Sequence, residues 1–208
     1  MLSDQGMSQL AHSWARTWEH LNLAPNVGLF DALVAAYNEP HRRYHTIQHL
    51  QECLAHFSQV TQLALHPGEV EIALWFHDAI YELKGKDNER RSAEWALHAL
   101  SQAGAQPEVH ARVEGLIMAT CHQAKPIDPD QQLLVDIDLA ILGSPPARFA
   151  EYDRQVREEY SWVPGFLYRM KRKEVLKSFL ARQAIYSTPH FSACFERQAR
   201  DNLKSILA

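Results

Sequence analysis

Residues 67–81 read PGEVEIALWFHDAIY, and this segment is the strongest indication of the fold class. Pro67 is a residue type that favours the first turn of a helix, and apolar residues recur after it at helical spacing. The pattern predicts one helix that runs through Tyr81. His77 lies on the apolar stripe of this helix, and Asp78 follows between bulky apolar neighbours. The segment therefore predicts a buried helix that carries two polar side chains.

The rest of the chain repeats this helical pattern. No segment alternates apolar and polar residues for long enough to predict a strand. Thr46 is the expected N-cap of the third helix. Proline, glycine and polar loops separate helical segments at about 8–21, 27–37, 47–57, 67–81, 92–103, 107–122, 130–142, 145–160, 164–183 and 190–207. The sequence predicts an all-α fold, a single-domain bundle of about ten helices over residues 1–208.

Length and composition restrict the class of protein. The 208 residues, of which 46% are apolar and 22% charged, suit an ordinary soluble globule of one domain or two small ones. The net charge of −4 argues against a general nucleic-acid binder. We expect a cytoplasmic protein, because the sequence has no membrane-spanning run and no signal-peptide pattern. Cys53, Cys121 and Cys194 form no CxxC pair, so we expect neither a disulfide framework nor a thiolate zinc site.

Polar side chains interrupt the apolar helical segments at four places. These are His45 with His49, His77 with Asp78, His122 after Cys121, and Asp136 with Asp138. A buried carboxylate without a partner costs several kcal/mol, so the aspartates need partners. Histidines and carboxylates together commonly bind a divalent cation, which offsets the charge and fixes the geometry. The alternative is that His77 and Asp78 form a hydrogen-bonded pair within the core.

The order of these residues resembles a known family. His49, then the dipeptide His77-Asp78, then an aspartate on a late helix resembles the H…HD…D signature of the HD superfamily of metal-dependent phosphohydrolases. The segments 44–50, 75–81, 87–93 and 136–143 look like a small bacterial-type branch of that superfamily. The resemblance covers a motif core of about 37–143, with the C-terminal helices of 145–208 packed on it. It implies an HD-domain-like helical fold and a hydrolase acting on a phosphate ester.

The resemblance also implies a metal site. His49, His77, Asp78 and Asp138 would bind one divalent ion, and Mn, Fe, Co, Ni, Mg and Zn are all compatible with such ligands. Asp138 is preferred to Asp136 because the family aspartate tends to be the second of an acidic-x-acidic pair. Asp136 would then form local hydrogen bonds or orient a ligand histidine.

Catalytic and substrate-binding roles are implied in the same way. Asp78 could accept the proton of the attacking water, and His122 could protonate the leaving oxygen, bind the phosphate or bind a second metal. His45, Lys86 and Glu89 would contact the substrate. Plain alternatives stay open, since His45 directly precedes a helix cap and residues 87–91 also fit a capped, solvated helix start.

The implied substrate is a nucleotide or another small phosphorylated metabolite, with no membrane or nucleic-acid partner. One alternative is a pyrophosphohydrolase of alarmone-like nucleotides, which shares the HD set but usually adds an acidic pair. Glu82 and the segment 87–89 match that pair only loosely. The other alternative is a non-catalytic helical module that keeps a metal for stability or binds a nucleotide without hydrolysing it. The oligomeric state is left open.

Overall fold

The helix that begins at Pro67 ends earlier than its pattern predicts. In a computed structural model of the chain, which describes residues 4–122 and 124–207, this helix covers Pro67–Phe76. His77 is its C-cap residue, and the Ala79 N–H donates to the Phe76 carbonyl at 2.9 Å, which closes a turn. His77 and Asp78 therefore lie at a helix end, which corrects the expectation that the helix continues to Tyr81.

Two side chains replace the next hydrogen bond of that helix. In a continuing helix the Asp78 N–H would donate to the Leu74 carbonyl. Instead the Asp78 N–H donates to the Tyr37 hydroxyl at 3.3 Å, and the Leu74 carbonyl accepts the Nδ1–H of His77 at 2.8 Å. The helix therefore stops where side chains satisfy its last backbone groups.

The described residues contain ten α-helices, two short 3₁₀ helices and no strand. The α-helices are α1 Asp4–Leu21, α2 Leu29–Tyr37, α3 Ile47–Val60, α4 Pro67–Phe76, α5 Asn88–Gln102, α6 Pro107–Ala119, α7 Pro129–Asp138, α8 Pro146–Glu159, α9 Gly165–Leu180 and α10 Pro189–Leu207, and the 3₁₀ helices are Thr61–Leu63 and Leu139–Gly143. The predicted all-α class is confirmed. α4, α6 and α7 end earlier than predicted, and each of these three ends carries or precedes a candidate site residue.

The contacts within the chain define two compact units, Met1–Val135 and Asp136–Ala208. The expectation that residues 1–208 form a single HD-type domain stays a prediction. Among the described residues, no helix combines the length and the apolar character that crossing a membrane requires.

The first unit is built around α4. Residues 68–76 are all buried, and α4 packs against α1, α3, α5 and α6. At Gly68 an added Cβ would lie 2.9 Å from the Leu21 backbone nitrogen, so glycine permits α1 to approach closely. Two buried carboxylates on α4 have cationic partners: Glu69 accepts from Arg112 at 2.6 and 2.7 Å, and Glu71 pairs with Arg16. The apolar pattern of this segment therefore corresponds to the centre of the first unit.

The second unit is built around the 3₁₀ helix Leu139–Gly143, which packs against α8 and α10. Asn202 of α10 donates its side-chain amide to the carbonyls of Leu142 and Ser144, both at 2.9 Å. An added Cβ at Gly143 would lie 2.7 Å from the Phe195 Cβ, so only glycine permits this contact. The helix that the sequence predicts over about 130–142 is thus divided into α7 and a 3₁₀ helix.

Candidate metal centre

His49 projects into the core of the first unit from the first turn of α3. The Thr46 hydroxyl caps this helix by accepting from the Gln48 N–H at 3.3 Å, as the sequence predicts. His49 is 2% exposed. Cys53 follows one turn later and is also buried, with its Sγ 3.8 Å from both ring nitrogens of His49. α3 therefore presents an imidazole and a thiol on the same buried face.

His77 approaches His49 from the C-terminal end of α4. Its Nδ1 lies 2.8 Å from the Leu74 carbonyl oxygen. A carbonyl oxygen only accepts hydrogen bonds, so Nδ1 carries a proton, and Nε2 is the ring nitrogen that can take up a second proton or a cation. That Nε2 lies 3.2 Å from the Nε2 of His49. Two imidazole nitrogens at this distance need a proton or a cation between them.

Asp78 supplies a carboxylate to the same group. Its Oδ2 lies 3.1 Å from His77 Nε2 and 3.5 Å from His49 Nε2, and its side chain is 17% exposed. Burial raises the pKa of the Asp78 carboxyl, but positive charge on His77, His45 and His49 outweighs this effect. The pKa therefore lies well below its ordinary value of 3.8, and the carboxylate stays ionised at neutral pH.

A buried guanidinium holds the turn that carries Asp78. Arg42 donates to the carbonyls of Asp78 at 2.6 Å, Ala79 at 2.9 Å and His45 at 3.1 Å. Its Nε also donates to a Glu39 carboxylate oxygen at 3.0 Å, and the side chain is fully buried. Arg42 thus connects the chain segment before α3 with the segment after α4. The sequence pattern predicts no role for Arg42, because it does not distinguish Arg42 from the exposed Arg43 beside it.

Tyr37 supports the same turn from α2. Its hydroxyl accepts from the Asp78 N–H at 3.3 Å and donates to the Trp75 carbonyl at 3.2 Å. Its ring lies 5.3 Å from the Arg42 guanidinium carbon, measured to the ring centroid. Burial first, and then the Asp78 charge, raises the pKa of Tyr37 well above 10.0, so the hydroxyl stays protonated. From the sequence alone, Tyr37 is predicted only as an apolar position of the second helix.

The donor atoms of the first unit fit a divalent metal ion. His49, Cys53 and His77 each offer a ligand atom, and these atoms lie within 4.8 Å of one another. The Asp78 carboxylate lies against the two imidazoles. Imidazole, carboxylate and thiol ligands together suit borderline transition metals such as Zn, Co, Ni or Fe(II). This group of His, Cys and Asp residues could therefore hold one metal ion.

Cys53 is a member of this group that the sequence analysis missed. All three cysteines are free thiols, so the expectation of no disulfide framework agrees with the structure. The expectation of no thiolate zinc site rests on the spacing between the cysteines alone. The relevant signal is His49-x-x-x-Cys53, because side chains four apart on a helix share a face.

The substrate-binding candidates lie at different places. The His45 ring stacks on the Tyr81 ring with centroids 4.1 Å apart, and its centroid is 6.0 Å from that of His49. Lys86 is exposed in the loop before α5, and Glu89 lies in the first turn of α5. The structure therefore brings His45 beside the ligand group, and the roles of Lys86 and Glu89 stay predictions.

His122 lies beyond the end of α6 rather than on it. The helix ends at Ala119, and His122 adopts a left-handed backbone conformation with φ of 54°. Burial raises the pKa of the adjacent Cys121 thiol, and the charge of Glu89 raises it further. The expectation of a helical His122 is wrong, because the chain turns at Thr120. Its catalytic role stays a prediction.

The two acidic candidates of the second unit differ in their surroundings. Asp136 is fully buried and accepts from the Ser187 N–H at 2.8 Å, and from the Thr188 N–H and hydroxyl, both at 2.7 Å. These bonds make Asp136 a structural acceptor at the start of α10, one of the two roles expected for it. Asp138 is the last residue of α7 and is half-buried. Its role as a metal ligand stays a prediction.

Comparisons with known protein families, with curated proteins and with solved structures found no match for this chain. The resemblance to the HD superfamily is therefore supported only by the fold class and by the candidate metal site. The all-helical fold and a His, Cys and Asp group that could bind a metal both fit it. Membership of the family and the reaction belong to the proposal that follows.

Proposed function

We propose that this chain is a metal-dependent phosphohydrolase that cleaves a phosphate ester of a nucleotide or another small phosphorylated metabolite. One observation carries the proposal. His49 and the dipeptide His77-Asp78, which begins 28 positions later in the chain, direct ligand atoms toward one another at 3.1–3.5 Å. The order in which the sequence supplies them, with Asp138 last, supports the HD-type reading of that group.

His49, His77 and Asp78 would hold the divalent ion, and we propose Asp138 as a further ligand on the sequence pattern. When bound, such an ion offsets charge on a phosphoryl oxygen and increases the acidity of water. The Nδ1 bond of His77 to Leu74 keeps the ring turned so that Nε2 faces the site. Arg42 keeps Asp78 in place through the three carbonyls that it binds.

Two roles are proposed for Asp78, metal ligand and acceptor of the proton of the attacking water. A carboxylate with a lowered pKa stays ionised, which favours ligation, but it is a weak proton acceptor. The lowered pKa favours the ligand role of Asp78, and another nearby carboxylate would then accept the proton of the attacking water. Hydrolysis adds water across the ester P–O bond, so one proton must reach the leaving oxygen. We propose His122 as its donor and His45 as a contact for the phosphate.

The test is a metal-dependent phosphatase assay. Protein depleted of metal is incubated with Mn²⁺, Co²⁺, Ni²⁺, Zn²⁺ or Mg²⁺ and offered p-nitrophenyl phosphate, nucleoside monophosphates and guanosine polyphosphates. We expect phosphate release that requires metal and is lost in Asp78→Asn and His77→Ala. His98→Ala is the matched control, because His98 is an exposed histidine on α5.

Four outcomes would contradict the proposal. Metal-independent release, or release that persists in His77→Ala at the level of His98→Ala, would place the reaction elsewhere. A protein that binds metal and unfolds on chelation, but hydrolyses none of these substrates, would favour a non-catalytic module. Selective release of pyrophosphate from guanosine polyphosphates would favour the alarmone-type activity instead.

A further inference from the structure

We infer that the Cys53 thiolate is itself a metal ligand, so that the site selects thiophilic transition metals over Mg²⁺. The inference rests on the proposed metal centre and narrows its metal class. Cys53 is 2% exposed and belongs to the same group of ligand atoms as His49 and His77. Neither the order of motif residues nor the cysteine spacing requires a thiol at this position.

The distances agree with shared coordination. Around a tetrahedral centre with M–N of about 2.0–2.1 Å and M–S of about 2.3 Å, adjacent nitrogens lie about 3.4 Å apart, and sulfur and nitrogen about 3.6 Å. The Nε2 atoms of His49 and His77 are 3.2 Å apart, and the Cys53 Sγ lies 3.8 Å from His49 Nε2. Both separations lie close to these values, so a bound ion requires only small side-chain shifts.

The alternative for Cys53 is an ordinary buried position on the apolar face of α3. Its neighbours on that face, Leu50, Leu54 and Phe57, are buried and apolar. A thiol in such surroundings packs as a small hydrophobic side chain. Its place one turn after His49, at contact distance from both ring nitrogens, distinguishes it from those neighbours.

Thiolate ligation has a direct chemical consequence. The thiol must lose its proton before it binds, so metal uptake releases a proton to solvent. Thiolate favours Zn²⁺, Co²⁺, Ni²⁺ and Fe²⁺, whereas Mg²⁺ prefers oxygen ligands in an octahedral arrangement. Removing a residue that only hydrogen-bonds to a metal ligand typically weakens metal binding by roughly 10–100-fold. Because Cys53 would be a ligand itself, its loss should weaken Zn²⁺ binding by more than this. Mg²⁺ binding should change little.

The experiment is an optical titration with Co²⁺ of the variant Cys121→Ser/Cys194→Ser. Cys53 is the remaining thiol of this variant, since the chain has three cysteines. Visible ligand-field bands report that Co²⁺ occupies the protein, and a near-ultraviolet sulfur-to-cobalt charge-transfer band reports thiolate ligation. We expect both, and we expect the second band to disappear when Cys53→Ser is added. Because the first variant retains Cys53, the test does not depend on the folding of Cys53→Ser.

Each outcome separates the inference from the proposal beneath it. Ligand-field bands without the charge-transfer band would overturn thiolate ligation and leave the proposed metal centre intact. No ligand-field bands at all would overturn the metal centre, and with it the proposed function. A Cys53→Ser variant that binds Zn²⁺ as tightly as wild type would also overturn the inference.

Discussion

Replacing Arg42 by alanine tests whether a buried guanidinium holds the two ligand-bearing segments together. The substitution leaves the carbonyls of Asp78, Ala79 and His45 without their donor. A buried acceptor left unsatisfied costs about 1–3 kcal/mol. Water can reach two of these three contacts, which are only part-buried, so the lower end applies. The Glu39 contact adds little, because that side chain is 44% exposed.

The total is a loss of about 3–5 kcal/mol in the free energy of unfolding, once the lost contact with the Tyr37 ring is included. Unfolding in urea followed by tryptophan fluorescence measures it. Arg43→Ala is the matched control, because Arg43 is an exposed neighbour, and its cost should stay within about 0.5 kcal/mol.

The same variant should also weaken Co²⁺ binding by roughly 10–100-fold, as loss of a residue that orients a ligand does. Equal stability of the Arg42→Ala and Arg43→Ala proteins would refute the argument about buried carbonyls. A destabilised Arg42→Ala protein with unchanged Co²⁺ affinity would refute the positioning role alone.

Two further substitutions test aspartates of opposite roles. Asp136→Ala should lower the free energy of unfolding by about 3 kcal/mol, because it leaves the Ser187 and Thr188 N–H groups without an acceptor; a cost below about 1 kcal/mol in urea unfolding would contradict this role. The pKa of Asp78 is lower in the folded than in the unfolded protein. Its ionised carboxylate therefore stabilises the fold above about pH 3.8, and this stabilisation is lost as the pH falls through the pKa of the folded protein. Metal-free Asp78→Asn should therefore be less stable than metal-free wild type at neutral pH. Urea unfolding measured across the acid range should show this difference in free energy becoming smaller below pH 3.8. A difference that does not change with pH would contradict the lowered pKa.

The positions of the helices could be predicted because their signals are local. Thr46 caps α3 as expected, and prolines begin α4, α6 and α7. The end of α4 could not be predicted in this way. It depends on the Tyr37 hydroxyl, 41 positions earlier in the chain, which takes the Asp78 N–H. A helical pattern contains no information about such a distant acceptor.

The motif residues of the candidate site could be predicted from the sequence, but the residues that hold or complete the site could not. His49, His77 and Asp78 were found because polar groups interrupt apolar segments, and the structure brings them together. The role of Arg42 could not be predicted, because two adjacent arginines are typical of a solvated surface. Tertiary packing buries Arg42 and leaves Arg43 exposed. The spacing between cysteines does not indicate Cys53 as a ligand. The signal is its spacing of four residues from His49, which places both side chains on one face of a helix.

The most direct test of a metal centre at His77 is the metal content of three proteins. Wild type, His77→Ala and His98→Ala are loaded with Co²⁺ or Zn²⁺, dialysed and measured by elemental analysis, with circular dichroism to establish that each is folded. We predict about one equivalent in wild type and in His98→Ala, and none in His77→Ala, because His77 supplies a buried ligand atom and His98 does not. Equal metal in all three proteins, or none in wild type, would contradict this account.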